Sequence, residues 1–282
     1  MKNFIIIDDF FLENGVLGGG ELNNGEVYEV LKSRGHKVSK INSHLVTLTH
    51  LSKNLRANFI VGNFVNLSEA CKDELKKKHK YIIYEHDHKY LKSRDPSSYE
   101  SYIAPKEEIV NRDFYESAIA VLCQSELHES VVFKNLKINN IYNVSGNLWS
   151  DEILDYIESL KDTQKAQKYT VMNSLNPVKS PKFAIRYCNI KDLDYELVPM
   201  MKYKSFLKKL SENEGFIFFP NVLETLNRVC VEARMMNCKV ITNKKVGATS
   251  EPWFKLKGKD LIDFMRKKKQ EVGELIEGIF EK

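Results

Sequence analysis

The chain has 282 residues, 43% of them apolar and 11% aromatic, enough to bury the cores of about two domains and to exclude a disordered polymer. Its five cysteines (Cys71, Cys123, Cys188, Cys230, Cys238) are odd in number and unpaired in spacing, which speaks against a disulfide framework or a zinc site and for a reduced, cytoplasmic protein. The net charge of +5, with lysines grouped at 76–78, 202–209 and 255–269, suits an anionic ligand, nucleic acid or a peripheral anionic membrane contact, but equally a set of solvated lysine faces.

In chain order, the opening apolar run Phe4–Ile7 is cut off by Asp8 and Asp9, too short for a signal segment or a membrane span. It reads as a strand, followed by a helix over 21–34 that Gly35 terminates. Strands at 37–41, 59–64, 81–84, 118–123 and 140–144 alternate with helices at 68–78, 107–115 and 126–136, the grammar of a parallel βα sheet. A helix at 151–159 and the polar stretch 161–168 mark a hinge. The same grammar then restarts, with strands at 169–172, 195–198, 215–219 and 239–242, a helix at 223–236, and an amphipathic helix over 259–280. Two α/β halves imply ligands held beyond the carboxyl ends of their strands.

Three constellations could carry chemistry. Gly18, Gly19 and Gly20 precede the first helix, where backbone can approach a ligand and free N–H groups favour an anion, although a triple glycine also serves as a plain turn. It is neither a G-x-G-x-x-G fingerprint nor a Walker loop, so nicotinamide and ATP readings lose support. Second, the apolar strand Phe216–Phe219 runs through Pro220 into a segment with Glu224 and Glu232. Eight residues apart on one helix, these carboxylates would share a side and could hold vicinal hydroxyls; the bland alternative is two solvated glutamates. Third, Glu85-His86-Asp87-His88-Lys89 ends a strand, placing two histidines at the ligand edge either as site residues or as structural ones. Ser125 in Gln124-Ser125-Glu126 reads as a helix cap, and Asp192-Leu193-Asp194 reads as a turn rather than a metal-binding D-x-D.

Gly-Gly-x-Glu before the first helix, Phe219-Pro220, Glu224, Glu232-Ala233 and Cys238–Thr242, in this order across both halves, resemble the retaining family 4 glycosyltransferases. The resemblance implies a GT-B fold: two Rossmann-like domains facing across a cleft, residues 1–150 on the acceptor side and 151–258 on the nucleotide-sugar side, with 259–282 returning to the first domain. It implies a metal-independent retaining hexosyltransferase that moves a sugar from a UDP- or GDP-sugar to a hydroxyl acceptor, without a cofactor. Glu224 would sit beside the donor sugar and Glu232 would hold the ribose hydroxyls. Main-chain amides around Leu223, Thr225 and Leu226 would meet the diphosphate or sugar, and Lys179 would neutralise the leaving diphosphate, a cationic task that bond cleavage requires. Gly18, Gly19, Gly20 and Arg228 join the expected donor contacts, and His86 is expected near the donor sugar. His88 and Arg94, the latter on the long loop 92–106, are expected on the acceptor side.

The sequence departs from the family pattern at three places. No arginine precedes Lys179, Leu226-Asn227-Arg228 replace a glycine usual after the first glutamate, and Asn237 replaces one usual after the second. Two other readings stay open, a catalytically silent sugar-nucleotide binder or structural protein and a glycosyltransferase acting on modified DNA bases. A glycan, lipid-linked glycan or protein acceptor suits the sequence better than DNA, for which no reading element is present.

Overall fold

The computed structural model describes residues 1–15, 18–174 and 176–281, and the chain divides into two compact units, 1–149 with 267–282, and 150–266. In chain order the first unit contains β1 (Asn3–Asp8), α1 (Gly19–Ser33), β2 (Lys37–Asn42), α2 (Leu48–Ser52), β3 (Asn58–Val61) and α3 (Glu69–Lys78). It continues with β4 (Lys80–Tyr84), α4 (Arg112–Glu116), β5 (Ala120–Cys123), α5 (Glu126–Leu136) and β6 (Ile141–Asn143). The strands form one parallel sheet of order β2-β1-β3-β4-β5-β6.

Because successive strand residues face opposite ways, β1 feeds two cores. Ile5 and Ile7 pack with Phe59, Tyr81 and Phe114 on one face. Phe4 and Ile6 pack on the other with Val27, Leu31, Val272, Ile276 and Phe280. Local chemistry sets the helix ends. Ser68 caps α3 and Ser125 caps α5, each accepting a backbone N–H from three residues on. Gly35, at φ +84°, ends α1 in a conformation that favours glycine. The helix expected over 107–115 is only the short α4, because Asn111 at φ +54° breaks the backbone ahead of it.

The second unit contains α6 (Asp151–Leu160), β7 (Ala166–Asn173), α7 (Lys182–Lys191), β8 (Tyr195–Pro199), α8 (Tyr203–Ser211), β9 (Asn213–Phe218), α9 (Arg228–Met235) and β10 (Lys239–Thr242). Its parallel sheet has the order β10-β9-β7-β8. Asp192 ends α7 with φ +50°, so Asp192-Leu193-Asp194 is a turn. The final helix α10 (Gly258–Ile279) begins in this unit, and from Lys267 it belongs to the first. There Glu277 takes Arg34 at 2.6 Å and His36 at 2.6 Å. No described helix is long and apolar enough to cross a membrane.

Candidate functional site

In the first unit, polar side chains gather where β1, β4, β5 and β6 end. Asp8 is fully buried. Burial, opposed by hydrogen bonds from Asn24 and Asn63, pushes its carboxyl up to about 6. The Asn24 amide donates to Asp8. Beyond it stand His86, with Nε2 2.9 Å from Asn24 Oδ1, and Gln124, whose Nε2 lies 2.7 Å from His86 Nδ1 and 2.8 Å from Asn147 Oδ1. The Tyr84 ring stacks on His86 at 5.1 Å. Gly20 faces that ring, for a Cβ added there would meet His86 Cγ at 3.5 Å. Gly18 is the N-cap residue of α1 and Gly19 its first residue. The Glu21 carboxylate bends back to the backbone N–H groups of Glu21 and Gly18; burial, with a lesser push from Asp87, raises it. Two of the amides at the start of α1, those of Gly18 and Glu21, are thus taken by the helix's own glutamate.

The loop after β4 is organised by Glu85, which the sequence reading passed over. Glu85 is completely buried and accepts from the backbone N–H groups of His86 and Asp87, each at 3.0 Å, from Lys89 Nζ at 2.8 Å, and from the Tyr115 hydroxyl. Burial alone would raise this carboxyl; the Lys89 ammonium and these hydrogen bonds carry it below the ordinary range. His88 is also completely buried at φ +59°, with Nδ1 2.9 Å from the Tyr90 hydroxyl and its ring edge-on to His128 at 4.9 Å. Burial pushes it down to about 4, which favours the neutral ring. Arg94 is half exposed and pairs with Asp87 at 3.0 Å.

In the second unit, the segment after β9 departs from the expected helix. Residues 220–227 are irregular and α9 begins only at Arg228. The cause is a pairing with a later part of the chain: the Glu224 backbone N–H donates to Lys245 O at 2.8 Å, and the Glu224 carbonyl accepts from Gly247 at 2.9 Å, a strand-like bridge to the segment after β10. Glu224 and Glu232 therefore do not share a helix face. Glu224, half-buried, receives the Asn227 amide at 3.2 Å, while Leu223, Thr225 and Leu226 are buried beside it.

Glu232 is 1% exposed on α9. Its Oε1 accepts from the Tyr203 hydroxyl at 2.5 Å and lies 3.6 Å from Arg228 Nε. Burial and the Glu232 charge raise the Tyr203 phenol well above its ordinary range. Arg228 is itself buried, so its guanidinium neutralises Glu232. Lys179, half-buried, closes the short turn Pro177–Lys179 after β7; the carbonyl of Val178 in that turn accepts from Asn221 N–H at 3.1 Å.

The two places where asparagine stands for an expected glycine prove informative. Asn227, the N-cap of α9, has φ +73°, and Asn237 just past its end has φ +60°. Both occupy the left-handed region that glycine enters freely and that asparagine tolerates better than other residues. Both ends of α9 thus carry backbone of the kind glycine takes.

A separate cavity of about 610 Å³ lies between α7 and the turns after β9 and β10, lined by Phe183, Arg186, Tyr187, Phe219, Asn221 and Lys245 among others. It includes none of the expected donor residues. Among the described residues no cluster of three or more His, Cys, Asp or Glu side chains could hold a metal ion.

No family model and no curated protein sequence matches the chain. Solved structures do. Sucrose-phosphate synthase from Thermosynechococcus elongatus is 11% identical, with a TM-score of 0.62 over 100% of both chains. The catalytic domain of starch synthase IV from Arabidopsis thaliana, bound to ADP and acarbose, is 9% identical, with a TM-score of 0.57 over 99% of this chain and 94% of that one. A glycosyltransferase from Rickettsia africae ESF-5 is 12% identical, with a TM-score of 0.53 over 99% and 93%. These likenesses show an α/β chain with the GT-B fold.

Proposed function

We propose that this chain is a retaining glycosyltransferase of the family 4 kind, carrying a hexosyl group from a UDP- or GDP-sugar to a hydroxyl acceptor without a metal ion. The observation that carries the reading is Glu232: a fully buried carboxylate on the helix after β9, steadied by Tyr203 and Arg228, with asparagines in glycine-like conformations at both ends of that helix. A buried carboxylate at the carboxyl end of a parallel sheet is suited to hold the two ribose hydroxyls of a nucleotide, and burial makes such recognition selective. In this reading the second unit binds the donor and the first supplies the acceptor side.

The roles follow from charge. As the glycosidic bond breaks, the nucleoside diphosphate gains negative charge, which Lys179 and the amides of the turn at Leu223, Thr225 and Leu226 would offset, aided by the start of α9. Glu224 would hold hydroxyls of the donor sugar, and the departing phosphate would take the acceptor proton. Arg228 is engaged with Glu232 and acts through it.

A thermal-shift panel of UDP-, GDP-, ADP- and CMP-sugars, with and without Mg²⁺, tests the reading. A donor at 100 times its Kd stabilises by about 2.7 kcal/mol, roughly 5–11 °C for a domain of this size. The expected outcome is a shift with one nucleotide, indifferent to Mg²⁺ and lost in Glu232→Ala. No shift with any donor, or one unchanged by the substitution, refutes the proposal.

A further inference from the structure

The chain of side chains running from β1 to β6 in the first unit can be read donor by donor. Asp8 is its anchor. One carboxylate oxygen accepts the Asp9 N–H at 2.8 Å and the other accepts from Asn24. An ionised carboxylate can only accept, so the amide nitrogen of Asn24 must face Asp8 and its carbonyl oxygen must face outward. That oxygen lies 2.9 Å from His86 Nε2 and has no hydrogen to give; the Nε2 atom must therefore carry one. In a neutral imidazole the other nitrogen is then an acceptor, and Nδ1 meets the Gln124 Nε2 at 2.7 Å. The same Gln124 nitrogen lies 2.8 Å from Asn147 Oδ1, a second acceptor that fixes the glutamine in this orientation.

Packing supports the anchor independently. Gly62 lies against the Asp8 and Asn24 pair, and a Cβ at that position would collide with the Asn24 amide nitrogen and the Asp8 carboxylate. Gly20 leaves a Cβ-sized space against His86, and the Tyr84 ring, nearly parallel at 9°, covers one face of the imidazole.

We propose that Asp8, Asn24 and Gln124 are positioning residues that hold His86 neutral with its proton on Nε2, both ring nitrogens engaged, so that His86 serves as an oriented ring and not as a proton donor or acceptor. Use as an acid at Nε2 would require breaking its hydrogen bond to Asn24, and use as a base at Nδ1 its hydrogen bond from Gln124, each connected to buried groups. The place of this ring beside the donor sugar rests on the functional reading above; its tautomer does not.

The test is ¹⁵N-histidine NMR of the full chain at pH 7.5, with the His86 signals assigned by their loss in His86→Gln. The expected pattern is a protonated nitrogen at ε2 and an unprotonated one at δ1. Gln124→Glu replaces a donor with an acceptor at Nδ1 and is expected to bring a proton there, giving the δ1 tautomer or the doubly protonated ring. A wild-type ring protonated at δ1, or a pattern unchanged in Gln124→Glu, overturns the relay; the wild-type spectrum decides the matter alone if that variant does not fold. Donor turnover supplies the second readout. Gln124→Glu is expected to lower kcat at least tenfold while leaving nucleotide affinity, set in the second unit, within twofold. An altered tautomer with unchanged kcat overturns the positioning role, whereas loss of nucleotide binding by the wild type would overturn the functional reading and leave the tautomer result standing.

Discussion

Replacing Lys89 by methionine removes the ammonium bonded to a carboxylate that has no solvent to fall back on. The side chains of Glu85 and Lys89 are 0% and 1% exposed, with Nζ 2.8 Å from Glu85 Oε1 and 2.7 Å from Asp87 Oδ1. The backbone N–H groups of residues 86, 87 and 89 and the Tyr115 hydroxyl remain on Glu85, enough to hold the loop but not to neutralise the charge. Breaking one partner of a buried ion pair costs about 3–5 kcal/mol, which for a unit of this size corresponds to roughly 6–20 °C in melting temperature. Glu85→Gln combined with Lys89→Met removes both charges and should regain much of that loss. The sign of the pH dependence gives a second check. In the wild type the folded carboxyl lies low, so its contribution is present above about pH 4.3 and lost as pH falls. In Lys89→Met, burial, the largest influence on this carboxyl, is opposed by the remaining hydrogen bonds but no longer by the ammonium. The folded pKa rises above the unfolded one, and the variant should gain stability relative to wild type as pH falls from 8 to 5. Urea unfolding monitored by circular dichroism measures all of this; a Lys89→Met cost below about 1 kcal/mol, or a double variant no better than the single, would refute the reasoning.

Asp8, with its carboxyl pushed up to about 6 from an ordinary 3.8, makes the folded state hold more protons between those values, so its effect is a loss of stability as pH rises from about 4 to 6. Asp8→Asn should remove that slope and, at pH 8, stabilise by an amount on the order of 2–3 kcal/mol, less whatever the relay to His86 loses; denaturant titrations at pH 5 and 8 decide it. Gly215→Ala would press a Cβ against the Lys239 carbonyl at 2.6 Å and the Tyr169 ring, spreading β9 from β10, with a loss of about 1–3 kcal/mol read from the unfolding midpoint. Glu277, brought down to about 2 chiefly by its hydrogen bond from Arg34, is largely solvent-screened, and Glu277→Gln should cost about 1 kcal/mol or less at pH 7. That difference should shrink as pH falls below about 4 and vanish only near pH 2.

The ten described strands could be located from the sequence because most are short apolar, β-branched or aromatic runs of the kind a parallel sheet takes up. Helices α2, α7 and α8 were not legible. Helix α7 buries Ala184 and Cys188 while exposing Phe183 and Ile190, which blurs its period, and the apolar positions of α8 are interleaved with lysines that read as a charged face. The Glu224 and Glu232 spacing could not reveal that a bridge to Val246 holds the first glutamate off the helix, because that pairing is made by residues far along the chain. Glu85 and Lys89 carried a faint signal, an acid and a base four residues apart at a strand end, but only burial on both sides distinguishes such a pair from surface charge. Asp8 and Asn24 gave none: their partnership depends on the first strand and helix meeting at Gly62, just after the third strand.

The course of α10 has a consequence for how the molecule could be taken apart. The second unit is one uninterrupted stretch, 150–266, inserted into a first unit made of two pieces. The inserted unit is therefore a natural candidate for separate expression, whereas a fragment ending at residue 150 lacks Val272, Ile276, Ile279 and Phe280 and leaves Phe4, Ile6 and Leu31 bare on one side of the sheet. Damage to the last turns of the chain should register first at its opening strand.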